Sequence, residues 1–205
     1  MVSATRPARR RGRPPLGESL DRDEVVRAAA DLVDREGWAA LSLARLARVL
    51  GRHSTSMYAH VSGVDDLRKG VSCLAAEELA DQVWSAVIGR VGAEALRAIA
   101  RAYRSYATQH PGRTASLAAT DRDDPDFTPR MARLHTPIAA TFRSLGLDEA
   151  QCAVAHRIFG AMVNGLVNTG GTEELDHAVD LFIVAISTRE WPVARDPAAR
   201  IASEP

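Results

Sequence analysis

The chain has 205 residues, of which 46% are hydrophobic and 25% are charged, the balance of an ordinary globular protein. No apolar run approaches the ~18 residues that a membrane-spanning helix needs, and no apolar stretch follows the N-terminal arginines as a secretory signal requires. Its two cysteines, Cys73 and Cys152, lie far apart and support neither a disulfide scaffold nor a zinc finger. We therefore expect a soluble, cytoplasmic protein.

The net charge of zero hides an uneven distribution along the chain. Residues 1–20 contain five arginines and one glutamate, which gives 5 − 1 = +4, whereas residues 71–205 contain 13 bases and 17 acids, which gives −4. A basic N-terminal arm indicates a polyanionic partner at that end. The preference for arginine over lysine, whose only example is Lys69, is explained equally well by codon bias and carries no functional weight.

Capping residues and glycines divide the first half of the chain into helices, since no proline lies between Pro15 and Pro111. Asp21 or Asp23 can cap the first helix and Ser42 the second. The predicted helices, each with the residue that follows its end, are about 23–36 before Gly37, 43–50 before Gly51, 54–60 before Ser62, and 64–87 before Gly89.

The second half continues with helical apolar stripes and no alternating strand pattern. Its predicted helices are about 96–107 before His110-Pro111-Gly112, a weak helix from 113 followed by the acidic loop 121–126, 131–145 before Gly146, one capped by Asp148 and Gln151, and a last helix capped by Thr172. The fold class is therefore all-α, with eight or nine helices.

The segment 42–62 is the most informative part of the sequence. It predicts a short amphipathic helix, a glycine turn at Gly51, and a second short helix that buries only Met57 and Val61. Small polar side chains cover the rest of that second helix, as an approach to base edges in the major groove requires. No acidic residue occurs between Leu41 and Val64, which suits a surface facing phosphates. A solvated helical hairpin in a bundle is the alternative interpretation.

Residues of about 20–80 resemble the DNA-binding domain of the TetR family of bacterial transcriptional regulators. The similarity rests on Glu36-Gly37 after the first helix, Leu46-Ala47, Leu50-Gly51, Met57-Tyr58-Ala59-His60-Val61, and Asp66-Leu67, in the family's order and spacing. The resemblance implies a three-helix, helix-turn-helix DNA-binding domain followed by an α-helical ligand-binding and dimerisation domain. The implied boundaries are 1–20 for the arm, 21–81 for the DNA-binding domain, 82–191 for the regulatory domain and 192–205 for a tail.

The resemblance also implies roles for individual residues. Bases would be contacted by Ser54, Thr55, Ser56 and Ala59, and phosphates or base edges by Arg45, Arg48, Arg52, His53, Tyr58 and His60. Val64 stands where many members have a lysine, so Lys69 is the candidate for that phosphate contact. Ala44 stands where an arginine or threonine is frequent, so one base contact is expected to be absent.

The basic arm contains Arg11-Gly12-Arg13-Pro14, the core of an AT-hook-like element. Glycine in such an element lets the backbone lie deep in the minor groove, where flanking arginines sense its negative potential. We expect Arg10, Arg11 and Arg13 to contact DNA. A disordered, solubilising tail is the alternative.

The remaining predictions concern an effector and a second copy of the chain. An apolar or aromatic small molecule would be bound by Tyr103, Arg104, Tyr106, His135 and Phe142, although aromatic residues at helical spacing are more often core. A homodimer would form through Val154, Ile158, Met162, Leu175, Val179, Phe182 and Ile186, with burial in a monomer core as the alternative.

No catalytic, nucleotide-binding or metal-ligand motif is present in the sequence. We therefore expect no enzymatic activity, no cofactor and no metal. The function predicted from these features is a ligand-responsive transcriptional regulator, a repressor released from a palindromic operator by a small molecule. The alternative is a helical ligand-binding or interaction module without sequence-specific DNA binding.

Overall fold

The structure is a computed structural model that describes residues 20–169 and 171–188. These residues form α-helices, one 3₁₀-helix and no strand. The α-helices are α1 (Arg22–Glu36), α2 (Leu43–Val49), α3 (Ser54–Met57), α4 (Val64–Val87), α5 (Gly92–Gln109), α6 (Pro111–Ala119), α7 (Phe127–Ser144), α8 (Glu149–Thr169) and α9 (Thr172–Ser187). The 3₁₀-helix covers Trp38–Ala40. The all-α prediction is confirmed. No described helix is long and apolar enough to cross a lipid bilayer.

The predicted start and end of α1 are confirmed by its hydrogen bonds. The side chain of Asp21 accepts a hydrogen bond from the Glu24 amide at 2.7 Å, and the Glu24 carboxylate accepts one from the Asp21 amide at 2.8 Å. This capping box satisfies amides that have no partner inside the helix. Gly37 ends the helix with a φ of 88°, a conformation that other residues adopt at a cost.

Two large hydrophobic cores lie along the molecule, together with a small third cluster of Cys73, Ala76 and Phe127. The N-terminal core joins α1, α2, α3 and the first part of α4, and the C-terminal core joins the rest of α4 with α5, α7, α8 and α9. Helix α4 belongs to both, because Leu67 and Val71 are buried in the first core and Leu79 and Val83 in the second. A shift of α4 would therefore change the packing of both cores.

Several helix boundaries differ from the sequence prediction, among them the starts of α5 and α7, which lie about four residues earlier than expected. Helix α3 ends at Met57 instead of about residue 60, because the following residues form hydrogen-bonded turns. Pro111 begins α6 directly after α5, which its fixed φ and missing amide hydrogen favour. Thr172 is the first residue of α9 rather than its cap, since Gly171 occupies the cap position without a side-chain hydrogen bond.

Candidate nucleic-acid interface

A tight turn joins α2 to α3 and orients the second helix. Ser42 caps α2 by accepting a hydrogen bond from the Arg45 amide at 3.2 Å. Gly51 has a φ of 63° in the turn, and the Arg52 amide donates to the Ala47 carbonyl at 2.8 Å across it. Met57 is fully buried against the N-terminal core. These contacts fix the orientation of α3 from below and leave its other faces to solvent.

The face of α3 and its following turn that points away from the core carries small or polar side chains. Tyr58 is 62% exposed, and His60 is half-buried. The exposed members of this surface are Arg48, Arg52, His53, Ser54, Thr55, Ser56, Tyr58 and Ala59. We call these residues, together with His60, the recognition surface. Short hydroxyl and methyl side chains at its centre, with arginines at its edge, match what base edges and phosphates require.

Arg45 differs from the other arginines of this region, because its guanidinium is already paired. Its Nε lies 2.8 Å from Oε2 of Glu36, and its Nη2 lies 2.5 Å from Oε1 of the same carboxylate. The hydrogen bond from Arg45 lowers the pKa of Glu36 below its ordinary value. Arg45 therefore forms a bidentate link between α1 and α2, and its predicted DNA contact stays a prediction.

Lys69 also forms salt bridges within the described chain. Its ammonium lies 2.7 Å from Oδ2 of Asp126 and 3.5 Å from Oδ2 of Asp124, both in the segment that precedes α7. The hydrogen bond to Asp126 outweighs partial burial and raises the pKa of Lys69. Lys69 is therefore already ion-paired with two carboxylates in the described chain, and its predicted contact with phosphate stays a prediction. Arg10, Arg11 and Arg13 lie outside the described residues.

An ionic network centred on one buried arginine joins α1, α4 and α6. Sequence reasoning missed this network, and the acidic residues of α1 were its only signal in the sequence. Arg113, at the start of α6, is 8% exposed. Its guanidinium pairs with Asp31, with Asp34 at 3.0 Å and with Glu78 at 3.1 Å. Burial disfavours the charged guanidinium, but Glu78 and Asp34 outweigh this and raise the pKa of Arg113. One side chain thus links α1, α4 and α6.

Two neighbours complete this junction. Nδ1 of His110 lies 3.0 Å from Asp34, and the Tyr106 hydroxyl donates to Glu78 at 2.9 Å. Burial and the charge of Glu78 raise the pKa of Tyr106. Gly112 lies so close to α1 that a Cβ there would collide with the Val33 carbonyl and the Asp34 nitrogen. The first turn of α6 is therefore packed directly on the last turn of α1.

The residues predicted to bind an effector do not share one set of contacts. Tyr106 belongs to the ionic junction, and Phe142 is fully buried in edge-to-face contact with Phe159 and Phe182. The hydroxyl of Tyr103 donates to Asn164 on α8, and burial raises its pKa to about 12. Tyr106 and Phe142 therefore have structural contacts in the described chain, and their predicted roles as pocket walls stay predictions.

Arg104 and His135 keep features that a bound molecule could use. Nη1 of Arg104 is buried without a hydrogen-bond partner in the described part of the chain. His135 makes an edge-to-face contact with His156 on α8, with ring centroids 4.6 Å apart. Burial, followed by the charges of His156 and Arg122, lowers the pKa of His135 to about 4, so its imidazole is neutral at physiological pH.

The predicted dimer residues divide into buried and accessible sets. The residues buried in the C-terminal core, which matches the alternative of burial within the monomer, are Leu175, Val179, Phe182 and Ile186. Ile158 is 44% exposed, and Val154 and Met162 are half-buried. Sequence reasoning missed a second stripe on α9, where Leu181 and Val184 are each 61% exposed. The buried stripe of α9 contains more apolar residues than the exposed stripe. For this reason the sequence pattern predicted the buried stripe as the dimer contact.

A helix-turn-helix with an exposed polar second helix, fused through a shared long helix to a larger helical core, defines a DNA-binding protein of the regulator class. Comparison with known proteins supports this class. The family description "Tetracyclin repressor-like, C-terminal domain" matches residues 96–182. The HTH-type transcriptional regulator Rv0681 of Mycobacterium tuberculosis is 32% identical over 179 residues, which are 80% of this chain and 82% of that protein.

Two further proteins agree with this assignment. The HTH-type transcriptional regulator YobS of Bacillus subtilis is 32% identical over 99 residues, or 48% of this chain and 51% of that protein. The crystal structure of the TetR family transcriptional regulator PfmR from Thermus thermophilus has a similar fold, with a TM-score of 0.63 at 20% identity over 83% of this chain and 97% of that one. The chain belongs to the TetR family of ligand-responsive, DNA-binding transcriptional regulators.

Proposed function

We propose that this regulator is a homodimeric repressor that binds a palindromic operator through the recognition surface and is released by a small molecule. The observation that carries the proposal is the orientation of α3, which buries Met57 and exposes Ser54, Thr55 and Ser56. A helix that served only to fill a core would not present three hydroxyls to solvent on four residues.

Different parts of the recognition surface have different proposed roles. Ser54, Thr55, Ser56 and Ala59 contact base edges, because only short side chains allow the helix to approach the floor of the groove. Arg48, Arg52, His53, Tyr58 and His60 contact phosphates around them. Arg48 and Arg52 form no salt bridge with described residues, so their guanidinium groups are free to pair with an external anion.

The accessible stripes of α8 and α9 supply the proposed dimer contact. Ile158 and the small residues Ala161 and Gly165 line one stripe, and Leu181 and Val184 line the other. Small residues allow two helix pairs to approach closely. A two-fold axis between the pairs places two recognition surfaces on one side of the dimer, which favours a palindromic operator.

The ionic junction at Arg113 supplies the proposed route from effector to DNA. A ligand that shifts α5 or α6 changes the position of α1, because Arg113 and Gly112 contact α1 directly. The proposed ligand is apolar or aromatic and contacts Tyr103, Arg104 and His135. The ligand can weaken DNA binding only by as much as it binds more tightly to the conformation with low DNA affinity than to the one with high DNA affinity.

The proposed domains are an arm (1–20), a DNA-binding domain (21–81), a regulatory and dimerisation domain (82–191) and a tail (192–205). The boundary between the DNA-binding domain and the regulatory domain falls within α4, since Ala80 and Val83 belong to the C-terminal core and Val71 to the N-terminal core.

Fluorescence anisotropy on DNA from around the protein's own gene tests the proposal. We expect this DNA to bind at least ~10³-fold more tightly than scrambled DNA of equal length, with an affinity that falls steeply between two salt concentrations. Equal binding to both DNAs would contradict an operator in that region, and absence of binding at low salt would contradict a DNA-binding function.

A further inference from the structure

A cleft of about 610 Å³ lies where the DNA-binding helices meet the loop between α6 and α7. One wall is formed by the 3₁₀-helix and the start of α4, and the other by the end of α6 and the following loop. We call it the acidic cleft. It is lined by Trp38, Ser62, Asp65, Asp66, Arg68, Lys69, Ala119, Thr120, Asp121 and Asp124.

The charge of the lining favours a cationic occupant. Four aspartates and two basic residues line the cleft, which gives 2 − 4 = −2, and the guanidinium of Arg22, paired with Asp66 from outside the lining, reduces this to −1. Lys69 is shared with Asp124 and Asp126, so it does not neutralise the outer carboxylates. Asp65 is 92% exposed and lies 3.4 Å from its only ion-pair partner in the described chain, Arg68. Asp121 accepts a side-chain hydrogen bond from the backbone, at the Asp123 amide.

One carboxylate of the cleft lining, that of Asp66, is already paired with an arginine from the start of α1. Arg22 pairs with Asp66 at the cleft. Burial opposes ionisation of Asp66, but hydrogen bonds from Ser62 and Arg22 outweigh it and lower its pKa. The chain immediately before Arg22 is the segment with five arginines between Arg6 and Arg13. Its attachment point is therefore at the cleft.

The segment that connects the arginines to the described chain is short. Arg13 is seven residues from Leu20, and seven extended residues span at most about 25 Å. A short tether of this kind gives a local concentration in the millimolar range, so even a weak contact is substantially occupied. Half-buried Trp38 adds an aromatic wall, against which a guanidinium packs favourably.

We propose that, in the absence of DNA, the arginine arm (residues 6–13) docks in the acidic cleft, and that DNA must displace it. The effect on DNA affinity rests on the proposed function, whereas the docking itself does not. Because the same arginines are needed for both partners, the cleft acts as an intramolecular competitor for the arm. Weak, non-specific DNA loses more from this competition than an operator that also engages the recognition surface.

Zero-length carbodiimide cross-linking tests the docking without any DNA. The chain has a single lysine, Lys69, so the variant R13K adds one side-chain amine at the arm. We expect an amide cross-link from position 13 to Asp65 or Asp121, identified by peptide mass spectrometry. The native link between Lys69 and Asp124 or Asp126 serves as the internal positive control, since these groups are already in contact. The proposal would be overturned if cross-links from position 13 to the remote Glu94 or Glu173 were as frequent as those to Asp65 or Asp121.

A coupling experiment tests the competition with DNA. We expect the variant D65N/D121N to bind scrambled DNA about 3–10-fold more tightly than the parent chain, because a smaller fraction of arms is docked. In a background with R10S/R11S/R13S, the same pair of substitutions should change the affinity less than about 2-fold. The matched control E94Q/E173Q alters the net charge equally at a distance from the cleft and should also have little effect.

The outcomes separate docking from the proposed function. Equal effects of D65N/D121N and E94Q/E173Q, or an effect that persists without the arm arginines, would show general charge repulsion and contradict the competition. A protein that cross-links as expected but binds no DNA would retain the docking and disprove the proposed function.

Discussion

The recognition surface and the Arg113 junction both contain arginine side chains, and the two regions use them in opposite ways. Arg48 and Arg52 are exposed and form no salt bridge within the described chain. Arg113 is buried and shared among three carboxylates from α1 and α4. An exposed, unpaired cation costs the fold little and remains available to phosphate, whereas a buried one is retained only if it is paired. Substitutions should therefore affect stability at the junction and DNA affinity at the surface.

The largest effect is expected from Arg113→Met. This change leaves Asp34 and Glu78 at the junction without their counter-charge, and we expect a loss of about 3–5 kcal/mol in the free energy of unfolding. Urea denaturation measures it. The matched control is Arg157→Met, at an exposed arginine of α8 without a salt bridge in the described chain. Equal stability of the two variants would show that the junction is not an energetic link.

Gly112→Ala disrupts the same junction through a steric clash and leaves its charges unchanged. Its methyl group would collide with backbone atoms of Val33 and Asp34, which cannot rotate away. We expect a loss of about 2–3 kcal/mol, at the upper end of overpacking effects. Gly160→Ala on α8 is the control, because open space surrounds that position and alanine favours a helix by up to about 1 kcal/mol. Thermal unfolding should shift in opposite directions for the two variants, and a shift in the same direction would contradict the close approach of α6 to α1.

The pH dependence of stability tests the C-terminal core. The pKa of His135 falls from 6.5 to about 4 in the folded chain, so the unfolded chain binds a proton first as the pH decreases. The contribution of His135 to the free energy of unfolding should therefore decrease between pH 6.5 and about 4 and change no further below that range. With allowance for solvent screening, we expect about 1–3 kcal/mol.

Matched histidine variants isolate this contribution. His135→Gln should flatten the decrease in stability measured by urea denaturation at several pH values. His177→Gln, at an exposed position of α9, should leave it unchanged. An unchanged slope in His135→Gln would contradict a neutral, half-buried imidazole at this position.

The smallest effect concerns the surface and should appear only with DNA. Tyr58→Ala should weaken operator binding by about 1–2 kcal/mol through the loss of a phosphate contact, with little change in stability because the side chain is 62% exposed. Tyr58→Phe removes only the hydroxyl and separates the hydrogen bond from ring packing. Anisotropy and thermal unfolding on the same samples give both quantities. A loss of stability without a loss of DNA affinity would contradict the assignment of Tyr58 to the recognition surface and indicate a structural role instead.

Local features were predictable from the sequence, because neighbouring residues determine them. The Asp21 cap, the Ser42 cap and the buried Met57 all follow from residues close by in the chain. The partners of Arg113 and Lys69 were not predictable, since their carboxylates lie 35 to 82 positions away. The predicted dimer stripe of α9 faces the core instead, because two apolar stripes on one helix cannot be ranked without its neighbours.

The central claim about this protein is that α3 reads base edges. Selection of binding sites from random DNA, carried out in parallel with the parent chain and with Ser54→Ala, Thr55→Ala and Arg52→Ala, tests it most directly. The parent chain should enrich a two-fold symmetric sequence. Substitution of Ser54 or Thr55 should relax the preference at symmetry-related base pairs, whereas substitution of Arg52 should weaken binding and leave the sequence unchanged. Enrichment of one unaltered sequence by all four proteins, or of no sequence by the parent chain, would contradict the account.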